Sequence, residues 1–250
     1  MTKYIVLIIL SLLINISLCS QEYPIGVQKL LKSYPDNVHS YDGKYLLLRD
    51  NVKLLYDETT EKTEDELLNN PSVSDMFKQP YVKGKHIPSK GEDPGRIRSE
   101  SLMKAMYGTT AKDVQNNLTT IVWCPKLVGE KIRISKINNI HIQLQKVSEE
   151  LDRHLELKKY LENATTFNWR IIKGTNRLST HSFGTAIDLN VKYSNYWQWD
   201  CRCTKEDVDL KYKNQIPQLI IDIFEQHGFI WGGKWYHYDT MHFEYRPELL

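Results

Sequence analysis

The chain has 250 residues, of which 26% are charged and 41% are hydrophobic, and its formal net charge is +2. This composition is typical of a globular protein that buries one core and has room for a small additional lobe. Because the net charge is close to zero and the sequence has no long basic run, it gives no electrostatic basis for nucleic acid as a partner.

The N-terminus has the features of a signal peptide. Lys3 precedes an apolar run from Tyr4 to Leu18, and small polar residues follow that run. A short basic region, an apolar segment of about 15 residues and a cleavage zone are typical of exported proteins. The run is short for a permanent anchor, since a spanning helix needs about 20 apolar residues. We therefore expect a signal peptide at 1–20 and a periplasmic or cell-envelope location.

The cysteines leave several outcomes open. The sequence ISLC ends at Cys19 and resembles a bacterial lipidation box, so a membrane tether through Cys19 stands as an alternative to simple cleavage. Once Cys19 is removed or lipidated, Cys124, Cys201 and Cys203 remain, and an odd number leaves at least one unpaired or paired between chains. A disulfide from Cys124 to Cys201 or Cys203 is one outcome. A thiolate metal site at CRC is a weaker interpretation than a site built from histidines.

Residues 21–95 are polar and repeatedly interrupted by proline, and we expect an N-terminal extension of unknown role that packs on the main domain. Within it, 44–57 predicts a hairpin that turns at 49–51. Thr63, followed three residues later by Glu66, predicts the capped start of a short helix. Residues 83–95 predict a loop.

The main domain is expected at 96–250. A helix is predicted from Ser99 to Gly108, a strand at 117–124, and a helix in one or two pieces over 137–161, where apolar residues recur at helical spacing. Strands are predicted at 166–172 and 185–190. A helix over 214–228 has Pro217 in its first turn and Gly228 at its end. Two short strands joined by a glycine turn follow. This order favours an α+β fold, in which helices flank a small antiparallel sheet.

Two polar clusters interrupt the apolar strands of this domain. In STHSFGTAIDLN, a turn at Phe183-Gly184 lets His181 face the same cavity as Asp188. Asp188 has apolar neighbours, and a buried carboxylate is costly unless it is paired, hydrogen-bonded or bound to metal. Zinc hydrolases use three such ligands and leave a fourth position for water. On spacing alone, a surface His181 and an Asp188 that caps a backbone turn explain the pattern equally well.

The second cluster, WYHYDTMHFEY, favours the metal site. His242 is a polar residue between Met241 and Phe243, and Asp239 lies three residues earlier, where a carboxylate can accept the proton of an attacking water. Glu244 shares the strand face of His242 and is expected to support it from behind. His237 is open to three interpretations: a further ligand, a hydrogen-bond donor to the transition state, or a surface residue.

The motif SxHxxGxAxD, followed about fifty residues later by DxMHFE, resembles the zinc D-alanyl-D-alanine carboxypeptidases of the VanY type, a family that also includes phage L-alanyl-D-glutamate endolysins. The resemblance covers roughly residues 167–247. It implies Zn²⁺ as the cofactor, and it implies a substrate-binding arginine upstream of the first histidine, although the glutamine that usually follows has no counterpart. The residues that it implies are His181, Asp188 and His242 as zinc ligands, Asp239 as the catalytic base, and Arg170 or Arg177 as the substrate arginine.

Ser179 either donates a hydrogen bond to substrate or caps the turn that follows it. Taken together, these observations predict an exported zinc peptidase that hydrolyses peptidoglycan stem peptides, with D-alanyl-D-alanine carboxypeptidase activity as the first expectation. L-alanyl-D-glutamate endopeptidase activity is one alternative. A non-catalytic zinc-bearing module that binds the cell wall is another, although such a module has no need for Asp239.

Overall fold

The computed structural model describes residues 22–250, so the predicted signal peptide at 1–20 and Cys19 lie outside it. The helices in this range are α1 Ile25–Ser33, α2 Glu64–Asn69, α3 Glu100–Tyr107, α4 Ala111–Asn116, α5 Ile140–Leu151, α6 Lys158–Leu161, α7 Trp197–Cys201 and α8 Gln218–Gln226. The strands are β1 Val38–Tyr41, β2 Tyr45–Leu48, β3 Lys53–Leu55, β4 Leu118–Trp123, β5 Glu130–Ser135, β6 Ala186–Asp188, β7 Phe229–Trp231 and β8 His242–Tyr245. Over 22–250, no helix is both long and apolar enough to cross a membrane.

The strands form three small antiparallel sheets, which confirms the predicted α+β fold. Strands β1, β2 and β3 form a meander, β4 pairs with β5, and the third sheet has the order β6-β8-β7. In the third sheet, β8 is the central strand and pairs antiparallel with both neighbours. The sheet that the sequence associates with the metal site therefore brings β6 and β8, distant in the chain, side by side.

The predicted elements of the N-terminal extension are present. Strands β2 and β3 are joined by a short turn at 49–51, where Asp50 and Asn51 have left-handed backbone angles. The hydroxyl of Thr63 accepts the backbone N–H of Glu66, and the Glu66 carboxylate accepts the backbone N–H of Thr63, so α2 begins with a complete capping box. Residues 83–95 contain no helix or strand.

The extension shares buried contacts with the rest of the chain. Tyr34, just after α1, donates a hydrogen bond to Glu248 near the C-terminus. The hydroxyl of Tyr81 donates to Glu225 of α8 at 2.7 Å and accepts the backbone N–H of Trp231 of β7 at 2.9 Å. Apolar side chains of α1 belong to the same buried cluster as those of α5 and α8. One core therefore runs through both regions.

The helix predicted over 137–161 forms in two pieces, α5 and α6. Helix α5 ends where the Asp152 carboxylate turns away to accept the backbone N–H groups of Lys126 and Leu127 at 2.9–3.0 Å. Leu155, which fitted the apolar spacing, lies after the end of α5 and is 73% exposed. Helical spacing thus persists in the sequence beyond the residue at which the backbone leaves the helix.

The prediction of a strand at 166–172 is wrong. Its polar backbone groups are satisfied by the turn that contains His181 instead of by a neighbouring strand: the N–H of Asn168 donates to the His181 carbonyl, and the N–H of Arg170 donates to the Ser182 hydroxyl. The predicted glycine turn after β7 is also wrong, because 232–241 forms a longer connection to β8. Strand β5 was not predicted from the sequence.

Candidate metal centre

The first metal-binding segment is a tight turn followed by β6. Residues 180–183 form one 3₁₀ turn, and the Ser179 hydroxyl caps it by accepting the backbone N–H of His181 at 3.4 Å. Gly184 then adopts a φ of +64°, and a Cβ there would lie 2.6 Å from a methyl group of Leu118. Glycine therefore allows both the left-handed turn and the close packing. The turn carries His181 and leads directly into β6, which ends at Asp188.

The second segment is β8, where His242 lies directly opposite Asp188 in the antiparallel pair. Side chains at opposite positions project from the same face of a sheet. Asp188 Oδ1 is 2.9 Å from His242 Nδ1 and 3.0 Å from His181 Nε2. The two imidazole nitrogens are 3.3 Å apart. Two imidazoles and one carboxylate thus converge on one point.

These distances fit a zinc ion. Zinc binds histidine nitrogen and carboxylate oxygen at about 2.0–2.2 Å with tetrahedral geometry, which places neighbouring donors about 3.3 Å apart. The observed separations are 2.9–3.3 Å. Three donors from protein leave one tetrahedral position open, as in catalytic zinc sites.

Hydrogen bonds on the far sides of both rings set which nitrogens face the centre. His181 Nδ1 lies 2.5 Å from the Thr166 carbonyl, which can only accept, so Nδ1 carries the proton and Nε2 is free. His242 Nε2 lies 3.1 Å from the Glu244 carboxylate, so it donates there and Nδ1 is the free nitrogen. Such partners orient metal-binding imidazoles and fix their tautomers.

The pKa values of the residues in this site depend strongly on the charges of their neighbours. Burial alone would raise the pKa of Asp188, but the two imidazoles hold that pKa far below its usual range. Burial would lower the pKa of His242, but Asp188 and Glu244 raise it to about 10. Without a cation, His242 therefore holds a proton that counters the carboxylates. Metal binding must displace this proton, and so metal affinity depends on pH.

Asp239 lies on the connection before β8, held by its backbone N–H to the Gly232 carbonyl at 3.0 Å and by a bridge to Tyr196. Its Oδ1 is buried and has no hydrogen-bond partner among the described residues. Burial and then the charge of Asp188 raise the pKa of Asp239 to about 6. A carboxylate with a free oxygen and a near-neutral pKa suits a general base.

Glu244 connects the ligand His242 to a buried pair of arginines. Its carboxylate accepts from Arg98 Nε at 3.0–3.1 Å and from Arg246 at 3.1 Å. Burial alone would raise the pKa of Glu244, but Arg98, His242 and Arg246 hold it well below its usual range. Glu244 is therefore an anion behind His242. The sequence suggests Glu244 by period two, but nothing local in it signals Arg98, which is 146 positions away.

Residues 173–245 match the model of a protein family described as D-alanyl-D-alanine carboxypeptidase. The match covers 73 of the 250 residues and supports the family resemblance that the sequence motifs indicate. The matched segment is therefore similar to peptidases of the D-alanyl-D-alanine carboxypeptidase type. The matched segment contains His181, Asp188, Asp239 and His242, whereas Arg170 precedes it. No curated protein and no solved structure matches the chain significantly.

Three residues predicted to bind the carboxypeptidase substrate differ in their surroundings. Arg170 is exposed, and its backbone is fixed to the turn of His181 through Ser182. Arg177 is half-buried, and its Nε has no hydrogen-bond partner among the described residues. Ser179 is buried, and its hydroxyl caps the turn. Both arginines have guanidinium groups available for an anionic ligand, whereas the contacts of Ser179 fit the capping interpretation.

His237 lies apart from the three donors. Its Nδ1 is 2.7 Å from the Asp93 carboxylate, its Nε2 is 2.8 Å from the Glu206 carbonyl, and its ring packs edge-on against Trp197. Both ring nitrogens are therefore engaged away from the metal centre, and the ring is buried. Asp93 belongs to the N-terminal extension, so this histidine attaches the extension to the connection that carries Asp239.

The cysteine pattern is resolved within residues 22–250. Cys201 and Cys203 form a disulfide with each other, and Cys124 is a buried free thiol. A disulfide from Cys124 to either of them is therefore wrong. Cys124 lies in the core, where its thiol donates to the Ser148 carbonyl at 3.7 Å and its backbone N–H donates to the Ser148 hydroxyl at 2.7 Å.

Proposed function

We propose that the protein is a zinc-dependent peptidase that hydrolyses peptidoglycan stem peptides outside the cytoplasm, as a D-alanyl-D-alanine carboxypeptidase. One observation carries the proposal: within the segment that matches this family, His181, Asp188 and His242 offer three donor atoms within 4.8 Å of one another. Their separations of 2.9–3.3 Å are close to the separation of about 3.3 Å between neighbouring donors around a tetrahedral zinc ion. The predicted signal peptide at 1–20 supports the export part of the proposal.

Different side chains of the protein bind the metal, transfer the proton and orient a ligand ring. His181 Nε2, Asp188 Oδ1 and His242 Nδ1 would hold Zn²⁺, which when bound polarises the scissile carbonyl and lowers the pKa of water. Asp239 accepts the proton of the attacking water on its free Oδ1 and returns it to the leaving amine. Glu244 keeps the His242 ring in the metal-binding orientation.

A carboxypeptidase also has to bind the substrate carboxylate. An arginine fork binds a carboxylate through two parallel hydrogen bonds, which a lysine does not reproduce. Arg170 is exposed and its charge acts on Tyr196, the residue that bridges Asp239. We assign the substrate carboxylate to Arg170 because this residue is exposed and because the family resemblance implies a substrate arginine upstream of His181.

The test is digestion of purified muropeptides by the secreted form of the chain, with products followed by mass spectrometry. We expect zinc-dependent release of free D-alanine, which stops with 1,10-phenanthroline and returns with added zinc. A zinc-dependent cut between L-alanine and D-glutamate would replace the carboxypeptidase assignment with the endopeptidase one. Zinc binding without any product would contradict catalysis and indicate a binding module.

A further inference from the structure

The connection from β7 to β8 is held by the N-terminal extension through four consecutive residues, 234–237. Each of them donates a hydrogen bond to the extension: Lys234 Nζ to the Val82 carbonyl at 2.6 Å, Trp235 Nε1 to the Pro94 carbonyl at 2.7 Å, the Tyr236 N–H to the Glu92 carbonyl at 2.6 Å, and His237 to the Asp93 carboxylate. All four acceptors precede the segment that matches the family, which begins at residue 173. The connection therefore belongs to that segment, but these partners do not.

The four residues lie within a tight loop that ends at the proposed base. The N–H of Asp239 donates to the Gly232 carbonyl at 3.0 Å and closes this loop. A Cβ on Gly232 would lie 2.6 Å from the Asp239 carbonyl oxygen, so the two ends are in close contact. The Trp197 N–H supports the loop from the other side by donating to the Tyr238 carbonyl at 2.9 Å. Because only Tyr238 separates His237 from Asp239, a displacement of the His237 backbone also moves Asp239.

Among the four acceptors, three are backbone carbonyls and the fourth is the side chain of Asp93. Its Oδ1 accepts the backbone N–H of His237 at 3.0 Å, and its Oδ2 accepts from Nδ1 of the same residue at 2.7 Å. One carboxylate thus fixes both the backbone and the ring of His237. A substitution at Asp93 can therefore remove this support, whereas a backbone carbonyl remains whichever side chain is changed.

Asp93 is itself held in place by its neighbours. Its backbone N–H donates to the Gln79 side chain at 2.6 Å. Burial would raise the pKa of Asp93, but His237 and Arg96 hold that pKa below its usual value, so the carboxylate is an anion. Arg96 also binds the Glu206 carboxylate at 2.6 and 2.8 Å, and the Glu206 carbonyl accepts from His237 Nε2 at 2.8 Å. These contacts form a closed cycle, which makes Asp93 a rigid support for His237.

We propose that Asp93 is a positioning residue for the peptidase reaction, which holds Asp239 through His237 in the place where its free Oδ1 receives the proton of the attacking water. This inference rests on the proposed function and gives the N-terminal extension a role in it. A general base acts only within hydrogen-bond reach of the proton that it accepts. A displacement of about 1 Å can lower a rate by about 100-fold. Asp93 acts through His237 and not on the reacting atoms.

The test compares Asp93→Asn with a matched control, Asp75→Asn, in the zinc-loaded secreted chain. Asp75 is also a buried carboxylate of the extension, but it binds Lys62, Lys78 and Ser72, which all belong to the extension. Both variants lose a buried ion pair, so both should have a lower melting temperature. Only Asp93→Asn should lower kcat for muropeptide hydrolysis, by about 10- to 100-fold, with KM and zinc content unchanged. A merely structural role predicts the same kcat for both variants.

A double variant tests whether the effect of Asp93 passes through Asp239. In the Asp239→Asn background, the carboxylate that Asp93 positions is absent, so adding Asp93→Asn should lower kcat no further. Two independent effects would instead multiply. A second readout needs no turnover. The N–H groups of Tyr236, His237 and Asp239 are hydrogen-bonded, and hydrogen exchange of a peptide covering 232–241 should become faster in Asp93→Asn and stay unchanged in Asp75→Asn.

Two results would overturn the positioning role while the wild type hydrolyses muropeptides: an unchanged kcat in Asp93→Asn, or an equally large fall in the Asp239→Asn background. Unchanged exchange of 232–241 in Asp93→Asn would overturn it whether or not the wild type is active. The proposed function is judged separately, by zinc-dependent hydrolysis in the wild type. Faster exchange in Asp93→Asn without any wild-type hydrolysis would refute the peptidase assignment and support the hold of Asp93 on the connection.

Discussion

Glu244→Gln replaces a buried carboxylate with a neutral amide and so removes the negative charge next to Nε2 of the ligand His242. Glu244 has 0% relative exposure and accepts hydrogen bonds from His242, Arg98 and Arg246 at 3.0–3.1 Å. Glutamine has nearly the same shape, but it leaves two buried guanidinium groups without this counter-ion. Removing one partner of a buried ion pair costs about 3–5 kcal/mol. For a domain of this size, that corresponds to a fall in melting temperature of roughly 6–20 °C.

The same substitution should weaken zinc binding. A neutral amide is a poorer acceptor for the Nε2 proton of His242, so the ring is held less firmly and its Nδ1 is a weaker donor to zinc. Loss of such a supporting partner typically lowers metal affinity by about 10- to 100-fold. The two effects are separable, because stability is measured on metal-free protein by thermal denaturation and affinity by competition with a zinc-binding dye.

Glu149→Gln is the matched control, since Glu149 is exposed on α5 and bonds only Gln145. We expect this control to change the melting temperature by less than about 2 °C, as for most surface substitutions. A Glu244→Gln protein with unaltered zinc affinity would refute the role of Glu244 in orienting His242. A melting temperature equal to that of the wild type would refute the buried ion network.

Three further predictions concern the reacting groups. Asp239→Asn should keep one zinc ion per chain and lower kcat by about 10²- to 10⁴-fold, the usual contribution of a general base; loss of the metal from this variant would make Asp239 a ligand. Because burial and Asp188 raise the pKa of Asp239 to about 6 and a bound cation lowers it, kcat/KM should rise as the pH increases through a value no higher than about 6 and should level off by pH 7, and a fall between pH 5 and 7 would contradict a carboxylate base. His181→Ala should lose zinc, measured by elemental analysis, and full occupancy would remove His181 from the ligand set.

The sequence predicts well those features that depend on a few neighbouring residues. The capping box of Thr63 and Glu66 and the end of α3 at Gly108 follow from local backbone chemistry, whereas the helix predicted from residue 214 begins only after Pro217. Asp188 and His242 are detectable because each is polar within an apolar strand. Asp188 and His242 lie side by side because of the register of β6 against β8. The sequence motifs imply this proximity, but local patterns do not predict it.

The features that the sequence misses depend on contacts between distant segments. The segment 166–172 has the alternation of a strand, yet the turn of His181 supplies its hydrogen-bond partners, so no ladder forms. Arg98 reaches Glu244 across 146 positions, and Asp93 reaches His237 across 144. No spacing rule predicts such pairs. The attachment of the N-terminal extension to the connection that carries Asp239 is therefore visible only in three dimensions.

The most direct test of the metal centre is a crystal structure of the zinc-loaded protein, with anomalous diffraction recorded on both sides of the zinc absorption edge. The account predicts one zinc peak bound by His181 Nε2, Asp188 Oδ1 and His242 Nδ1 at about 2.0–2.2 Å, with the fourth position facing Asp239. A zinc peak elsewhere, or these three side chains directed away from a common centre, would contradict it.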